Sequence, residues 1–138
     1  MKRVLILLPL LMCFGCGGAD ARAWFIEPVD GATVSATFTI KFGVEGKDLV
    51  PAADTTRHDD DTAGHHHILV GAAGMADGQI IEPDDEGKTR FHYGDARTET
   101  QFELPVGTHT LTMQFADFEH RSYGSAMSDT ITITVVEN

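Results

Sequence analysis

The stretch TFTIKFGV, residues Thr37–Val44, alternates strictly between apolar side chains and polar or small ones. In an extended chain successive side chains point to opposite faces, so Phe38, Ile40 and Phe42 share one face. β-Branched and aromatic residues suit such a half-buried surface. The stretch therefore predicts a β-strand with one face in a hydrophobic core.

Six other segments have the composition or the alternation of strands: Trp24–Glu27, His65–Val70, Gln79–Ile81, Thr98–Leu104, His109–Phe115 and Thr130–Val136. Turn-forming residues separate several of them, as in Pro28–Gly31 and Pro105–Gly107. The segments Glu45–Gly64 and Glu82–Arg97 lack this alternation and are expected to be irregular loops. Seven strands at this spacing predict an all-β fold, an immunoglobulin-like β-sandwich that residues 24–138 form as a single domain.

The turn Leu104–Gly107 and the residues after it resemble the corner of bacterial immunoglobulin-like domains, which often read L-P-x-G-T-Y-T-L-T. In this chain His109 occupies the position of the tyrosine. The resemblance implies a structural role for His109, in which a ring nitrogen bonds to the backbone as the corner tyrosine does.

Residues 1–15 have the features of a secretory signal peptide. Lys2 and Arg3 make a basic start, and Val4–Phe14 is an apolar run of eleven residues. Such a run is too short to span a bilayer, which needs roughly 20 apolar residues. A basic start, a short apolar run and small residues after it predict a signal that is removed on export.

The sequence GCGG at residues 15–18 resembles the cleavage site of bacterial lipoproteins, in which a peptidase cuts before a cysteine that receives lipid. It predicts a lipid on Cys16, contact with the membrane through that lipid, and a short tether over residues 16–23. No Asp follows Cys16, so we expect a periplasm-facing lipoprotein of the bacterial cell envelope, in the outer membrane. An ordinary soluble secretory protein is the alternative.

Composition excludes several classes of function. The net charge of −11 argues against a nucleic-acid partner, because phosphates are bound by a basic surface. Both cysteines, Cys13 and Cys16, precede the predicted domain, which therefore has no disulfide and no thiolate ligand or nucleophile. Because no recognisable set of catalytic residues is present, an enzymatic activity is the least favoured reading.

Seven histidines are the most informative feature of the chain: His58, His65, His66, His67, His92, His109 and His120. On a strand, His65 and His67 point to the same face about 7 Å apart and can hold one metal ion from one side. Imidazole is a ligand for both copper and zinc. His66 points the opposite way and shares its face with Ile68, so a place in the core is an equal alternative for it.

Sandwich topology gathers several histidine-bearing segments at one rim, because alternate loops of such a fold meet at the same end. The sequence therefore predicts a copper or zinc site there. Its expected ligands are His65, His67, His92 and His120, with His58 and His66 as possible additions. Asp117, three residues before His120, is a candidate for orienting a histidine.

The order of the motifs resembles a known bacterial family, the domain of unknown function numbered 4399. The matching segments are Phe25–Gly31, Gly64–Leu69, His92–Gly94, Thr98–Glu99, Gly107–Leu111 and Asp117–His120. Members often carry a second histidine three residues after the last one, where this chain has Tyr123. The resemblance implies a small exported domain with no established activity.

Two hypotheses of different kinds follow. The first is an exported, lipid-anchored β-sandwich that binds copper or zinc at one rim, for holding or delivering metal in the periplasm. The second is a non-catalytic structural or interaction module of the cell envelope, with an envelope protein as partner and a structural network of histidines.

Overall fold

The computed structural model describes residues 20–84 and 86–137, and this part of the chain is built almost entirely of strands. The nine strands are β1 (Arg22–Glu27), β2 (Thr33–Ser35), β3 (Thr37–Glu45), β4 (Asp48–Leu49), β5 (Ala63–Val70), β6 (Arg90–Tyr93), β7 (Glu99–Glu103), β8 (Gly107–Ala116) and β9 (Ser128–Val136). Two single-turn 3-10 helices, Thr55–Arg57 and Ser125–Met127, lie in loops. No helix within the described ranges is long and apolar enough to cross a membrane.

The strands form two sheets that pack face to face. One sheet has the order β1-β3-β7 and is antiparallel. The other has the order β2-β9-β8-β5, with β4 and β6 both pairing with the remaining edge of β5. The result is the all-β, immunoglobulin-like sandwich that the sequence predicts.

The core between the sheets contains the apolar face of β3, the strand that includes Thr37–Val44. Phe38, Ile40 and Phe42 of β3 are buried, as their alternation predicts. The facing sheet contributes these buried side chains: Ile68, Leu111, Met113, Phe115, Ile131, Ile133 and Val135. Full burial of each such side chain stabilises the fold by about 1.5–3 kcal/mol.

A smaller cluster lies on the opposite face of β5. It consists of Leu69, Ile81 and Ala116, with Ala72 and Met75 packed against it. Because neighbouring residues of β5 point to opposite faces, this strand is buried on both sides. The six-stranded sheet therefore has a covered outer surface near β5.

The predicted strand Gln79–Ile81 is wrong. Ile80 forms only an isolated bridge with Arg121, whereas residues 90–93, in a segment predicted to be irregular, form β6. The four residues of β6 are held by pairing with the edge of β5, which is distant in the chain. A strand this short has too little pattern of its own to be recognised.

The folded domain begins slightly earlier than predicted. β1 starts at Arg22, whose side chain pairs with Glu45 at 2.9 Å, and Ala23 is buried in the core. The last residues of the predicted tether thus belong to the sandwich. The predicted signal peptide and Cys16 lie outside the described residues.

Truncation of Phe42 to alanine should lower the free energy of unfolding by about 3–5 kcal/mol, because it leaves a cavity between the two sheets. Urea denaturation of the metal-free protein measures this change. Thr37→Ala on the exposed face of the same strand is the matched control and should change stability by less than about 0.5 kcal/mol. Equal effects of the two substitutions would contradict the assignment of the faces.

Candidate metal centre

The two faces of β5 separate its three consecutive histidines. The ring of His66 lies in the core, with its centroid 4.7 Å from that of Phe42 and 5.1 Å from that of Phe115. His65 and His67 point to the opposite, outer face of the six-stranded sheet. The structure thus decides which face of this strand is the core.

Four histidines come together on that outer face: His65, His67, His92 and His120. Each offers one ring nitrogen, and these nitrogens all lie within 4.8 Å of one another. The ring centroids of His65 and His92 are 4.5 Å apart, and those of His92 and His120 are 4.8 Å apart. These are the four principal ligands that the sequence predicts, and this group could hold a metal ion.

Strand pairing positions three of the four side chains. His65 and His67 are two residues apart on β5, and His67 lies directly opposite His92 in the register with β6. Directly opposed residues of an antiparallel pair have their Cβ atoms about 4.5–5.5 Å apart. The sheet therefore sets the spacing of these rings, and β5 is itself held on both edges.

His120 comes from the loop between β8 and β9, in a tight turn that Asp117 organises. The Oδ1 atom of Asp117 accepts hydrogen bonds of 2.8 Å from the backbone N–H groups of Glu119 and Arg121. His120 has a φ of 61°, a left-handed conformation that costs a non-glycine residue about 1–2 kcal/mol. Asp117 therefore orients His120 through the backbone of the turn.

The turn is attached to the segment before β6 by backbone hydrogen bonds. The carbonyl of His120 accepts a bond of 2.8 Å from the N–H of Ile81, and residues 78–79 make two further bonds to Ser122. The hydroxyl of Tyr123 donates to the carbonyl of Ala63 at 2.7 Å. At this position the chain attaches the loop to β5.

The two buried histidines on the outer face of β5 have ring nitrogens that make no hydrogen bonds in the described part of the chain. His65 is 0% exposed and His67 is 3% exposed, and neither ring nitrogen of either residue has a partner among the described residues. A buried polar group without a partner costs about 1–3 kcal/mol. An apolar pair of side chains would avoid this cost, so these nitrogens are suited to a ligand that the protein itself does not supply.

The same burial keeps the rings neutral. Burial, reinforced by the electrostatic effect of the neighbouring His92 and His120, lowers the pKa of His65 to about 3. The pKa of His67 lies well below its ordinary value for the same reasons, and burial also lowers the pKa of His92. Neutral imidazole is the form that binds metal, so no proton must be displaced from these rings at neutral pH.

The remaining histidines lie outside the group. His66 is in the core, and the half-exposed ring of His58 packs on Phe118, 5.9 Å away between centroids. His109 lies near the start of β8, where its Nε2–H donates to the carbonyl of Pro105 at 2.7 Å. This ring-to-backbone bond is the one that the corner resemblance implies.

The position of the group differs from the sequence prediction in one respect. The sequence predicts a site among loops at the rim, whereas His92 lies on β6 and the group sits on the outer face of a sheet. The sequence also does not predict the cavity of about 130 Å³ beside the group, whose lining includes Arg90 and Phe91. The one local sign of this cavity in the sequence is that Arg90 and His92 are two residues apart, so that on a strand their side chains share a face.

Acidification should destabilise the metal-free protein well above the range in which carboxylates titrate. Folding holds the pKa values of His65 and His66 at about 3 and 4, below their ordinary value of 6.5. Their stabilisation is complete above pH 6.5 and is lost as pH falls, because the unfolded chain takes up protons first, with a slope of about 1.4 kcal/mol per pH unit for each histidine.

Urea denaturation between pH 7 and pH 5 measures this slope. His66→Leu removes one of the titrating groups from the core and should make the slope shallower. A stability that stays constant over this pH range would contradict the neutral, buried state of these rings.

Removal of the Asp117 carboxylate should loosen the turn that carries His120. Asp117→Ala is expected to lower stability by about 1–2 kcal/mol, the usual cost of losing such a capping side chain, and to speed amide exchange at Glu119 and Arg121. Asp117→Asn retains the accepting oxygen and is the matched control. If both variants behave alike, the turn does not depend on these hydrogen bonds.

Comparison with known proteins identifies the family. No curated protein matches the chain. Among solved structures, the X-ray structure of the endo-beta-1,4-mannanase from Thermotoga petrophila is similar, with a TM-score of 0.48 and 17% sequence identity. The match covers 91% of this chain and 22% of that chain. A family model matches residues 40–136, and the chain therefore belongs to the family described as a domain of unknown function, DUF4399.

Proposed function

We propose that this protein binds one copper or zinc ion through His65, His67, His92 and His120. The observation that carries the proposal is the convergence of four ring nitrogens within 4.8 Å, two of the rings being buried without any hydrogen-bond partner. In a tetrahedral site with metal–nitrogen bonds of about 2.0–2.1 Å the nitrogens are about 3.4 Å apart. A bound ion would therefore draw the four rings slightly inward.

The chemistry of the donors supports copper or zinc over other metals. Four imidazole nitrogens suit Zn²⁺ and Cu²⁺, whereas Ca²⁺ and Mg²⁺ take oxygen ligands. An ion would also supply a partner for one of the two buried ring nitrogens of His65 and one of those of His67. His58 and His66 are not part of the proposed ligand set, because neither belongs to the group of four.

Rigidity and charge add further support. Strands hold three of the ligands before any ion arrives, which lowers the entropy lost on binding. A second cleft, about 210 Å³ in volume, lies at the His120 turn and is lined by His58, Asp59, Asp60, Asp61, Asp117, Glu119 and Arg121. Its acidic side chains and the net charge of −11 raise the local concentration of cations.

The proposed setting is the bacterial envelope. A lipid on Cys16 would tether the domain to the periplasmic side of the outer membrane, where it would hold or deliver metal. The rival hypothesis of a structural module with a hydrogen-bonded histidine network has less support, because the nitrogens of His65 and His67 make no such bonds within the described part of the chain.

Metal titration of the untagged protein tests the proposal. We expect one Zn²⁺ or Cu²⁺ ion per chain with a Kd below 1 μM, equivalent to more than about 8 kcal/mol. Replacing His65 and His67 together by leucine should weaken binding by more than about a hundredfold, since even groups behind the ligands are worth about 10–100-fold. The metal-free double variant should be at least as stable as the parent, because it no longer buries unpartnered nitrogens.

The matched control removes two histidines that lie outside the group. His58→Leu combined with His109→Leu should leave the affinity and the stoichiometry unchanged. Equal affinity of the two double variants would overturn the site. Binding of the parent protein no tighter than that of scattered surface histidines would also overturn it.

A further inference from the structure

The cavity lies on one side of the histidine group and contacts three of its four members. His67, His92 and His120 line it, whereas His65 does not. The rest of its wall consists of Ile81, Pro83, Arg90 and Phe91. An ion held by the four rings would thus have protein behind it and an open space of about 130 Å³ on one side. Four protein ligands close a tetrahedral Zn²⁺ site, whereas Cu²⁺ favours tetragonal geometry, in which a further position beyond the four rings can stay open.

The volume of the cavity limits what can enter. A water molecule occupies about 30 Å³ in the liquid, so the space accommodates a ligand of about three or four non-hydrogen atoms. Ile81, Pro83 and Phe91 offer that ligand no charged group. A small ion or molecule fits within this space.

The positive charge of the site favours a negatively charged ligand. The four proposed ligands are neutral imidazoles, so a bound divalent ion keeps its double positive charge. Arg90 adds a further positive charge, and no acidic side chain lines this cavity among the described residues. Opposite charges attract, so the cavity favours an anion over a cation or a neutral ligand.

Arg90 lies on the strand that carries His92. It lies two residues before His92 and therefore on the same face of β6, opposite Leu69 in the register. Its Nη1–H donates to the carbonyl of Glu82 at 3.1 Å. A guanidinium has five N–H donors, so most of them remain available to an anion.

We propose that the copper-loaded protein binds a small monovalent anion in this cavity, with one atom of the anion at the open position of the metal and another contact to Arg90. The inference rests on the proposed function, because the metal supplies the first contact. It identifies the ligand class of the open position as an anion no larger than about four non-hydrogen atoms.

Azide is a suitable probe, because its coordination to Cu²⁺ produces a charge-transfer absorption band. We expect the copper-loaded protein to show a saturable band on titration with azide, and formate to compete with it. Benzoate is too large to lie within the cavity and should compete more weakly than formate. Arg90→Gln should weaken azide binding by about tenfold, the effect of losing one hydrogen bond to a charged group, while copper affinity stays within about twofold. Arg22→Gln, on β1 in the other sheet, is the matched control.

The outcomes separate the two proposals. If copper binds at the four histidines and azide gives no band, the position is closed and the inference is overturned while the metal site stands. If azide binds equally well to Arg90→Gln, or benzoate competes as well as formate, the anion does not occupy this cavity and the inference is again overturned. If copper does not bind, the proposed function fails and the anion site fails with it.

Discussion

The burial of β5 on both faces is the constraint on which the rest of the molecule depends. Its inner face adds His66 and Ile68 to the core, and its outer face adds Leu69 to a second, smaller cluster. Because both edges are also paired, this strand has almost no contact with solvent. Any polar side chain on it must find a partner inside the protein or remain unsatisfied.

Three consecutive histidines on such a buried strand lower the stability of the metal-free fold. All six ring nitrogens of His65, His66 and His67 lack partners within the described residues, whereas leucine or valine would fill the same positions without that cost. For His66 the rings of Phe42 and Phe115 supply packing and nothing polar. For His65 and His67 the rings of His92 and His120 lie within reach, and a shared ion would bind one nitrogen of each of the four rings.

The sequence predicts the sandwich from local pattern, and it predicts the grouping of the four principal histidines from that pattern together with the topology of the fold. Alternation in Thr37–Val44 is visible residue by residue, and His65 and His67 share a face for the same reason. The strand β6 is missed because its four residues are held by a distant partner, and the rim is misplaced as a consequence. The left-handed turn at His120 depends on contacts of the Asp117 side chain that no periodicity reveals.

The loop position of His120 separates it from the other three ligands of the proposed centre. His65, His67 and His92 cannot move without breaking a sheet, whereas the His120 turn is held by a few hydrogen bonds to residues 78–81. Local opening of such bonds requires much less free energy than global unfolding. The residence time of a bound ion would then depend on how often this turn detaches, and transfer to another protein would begin with the loss of the His120 ligand. In the proposed centre the release rate of the ion would therefore depend mainly on this turn and not on the strands.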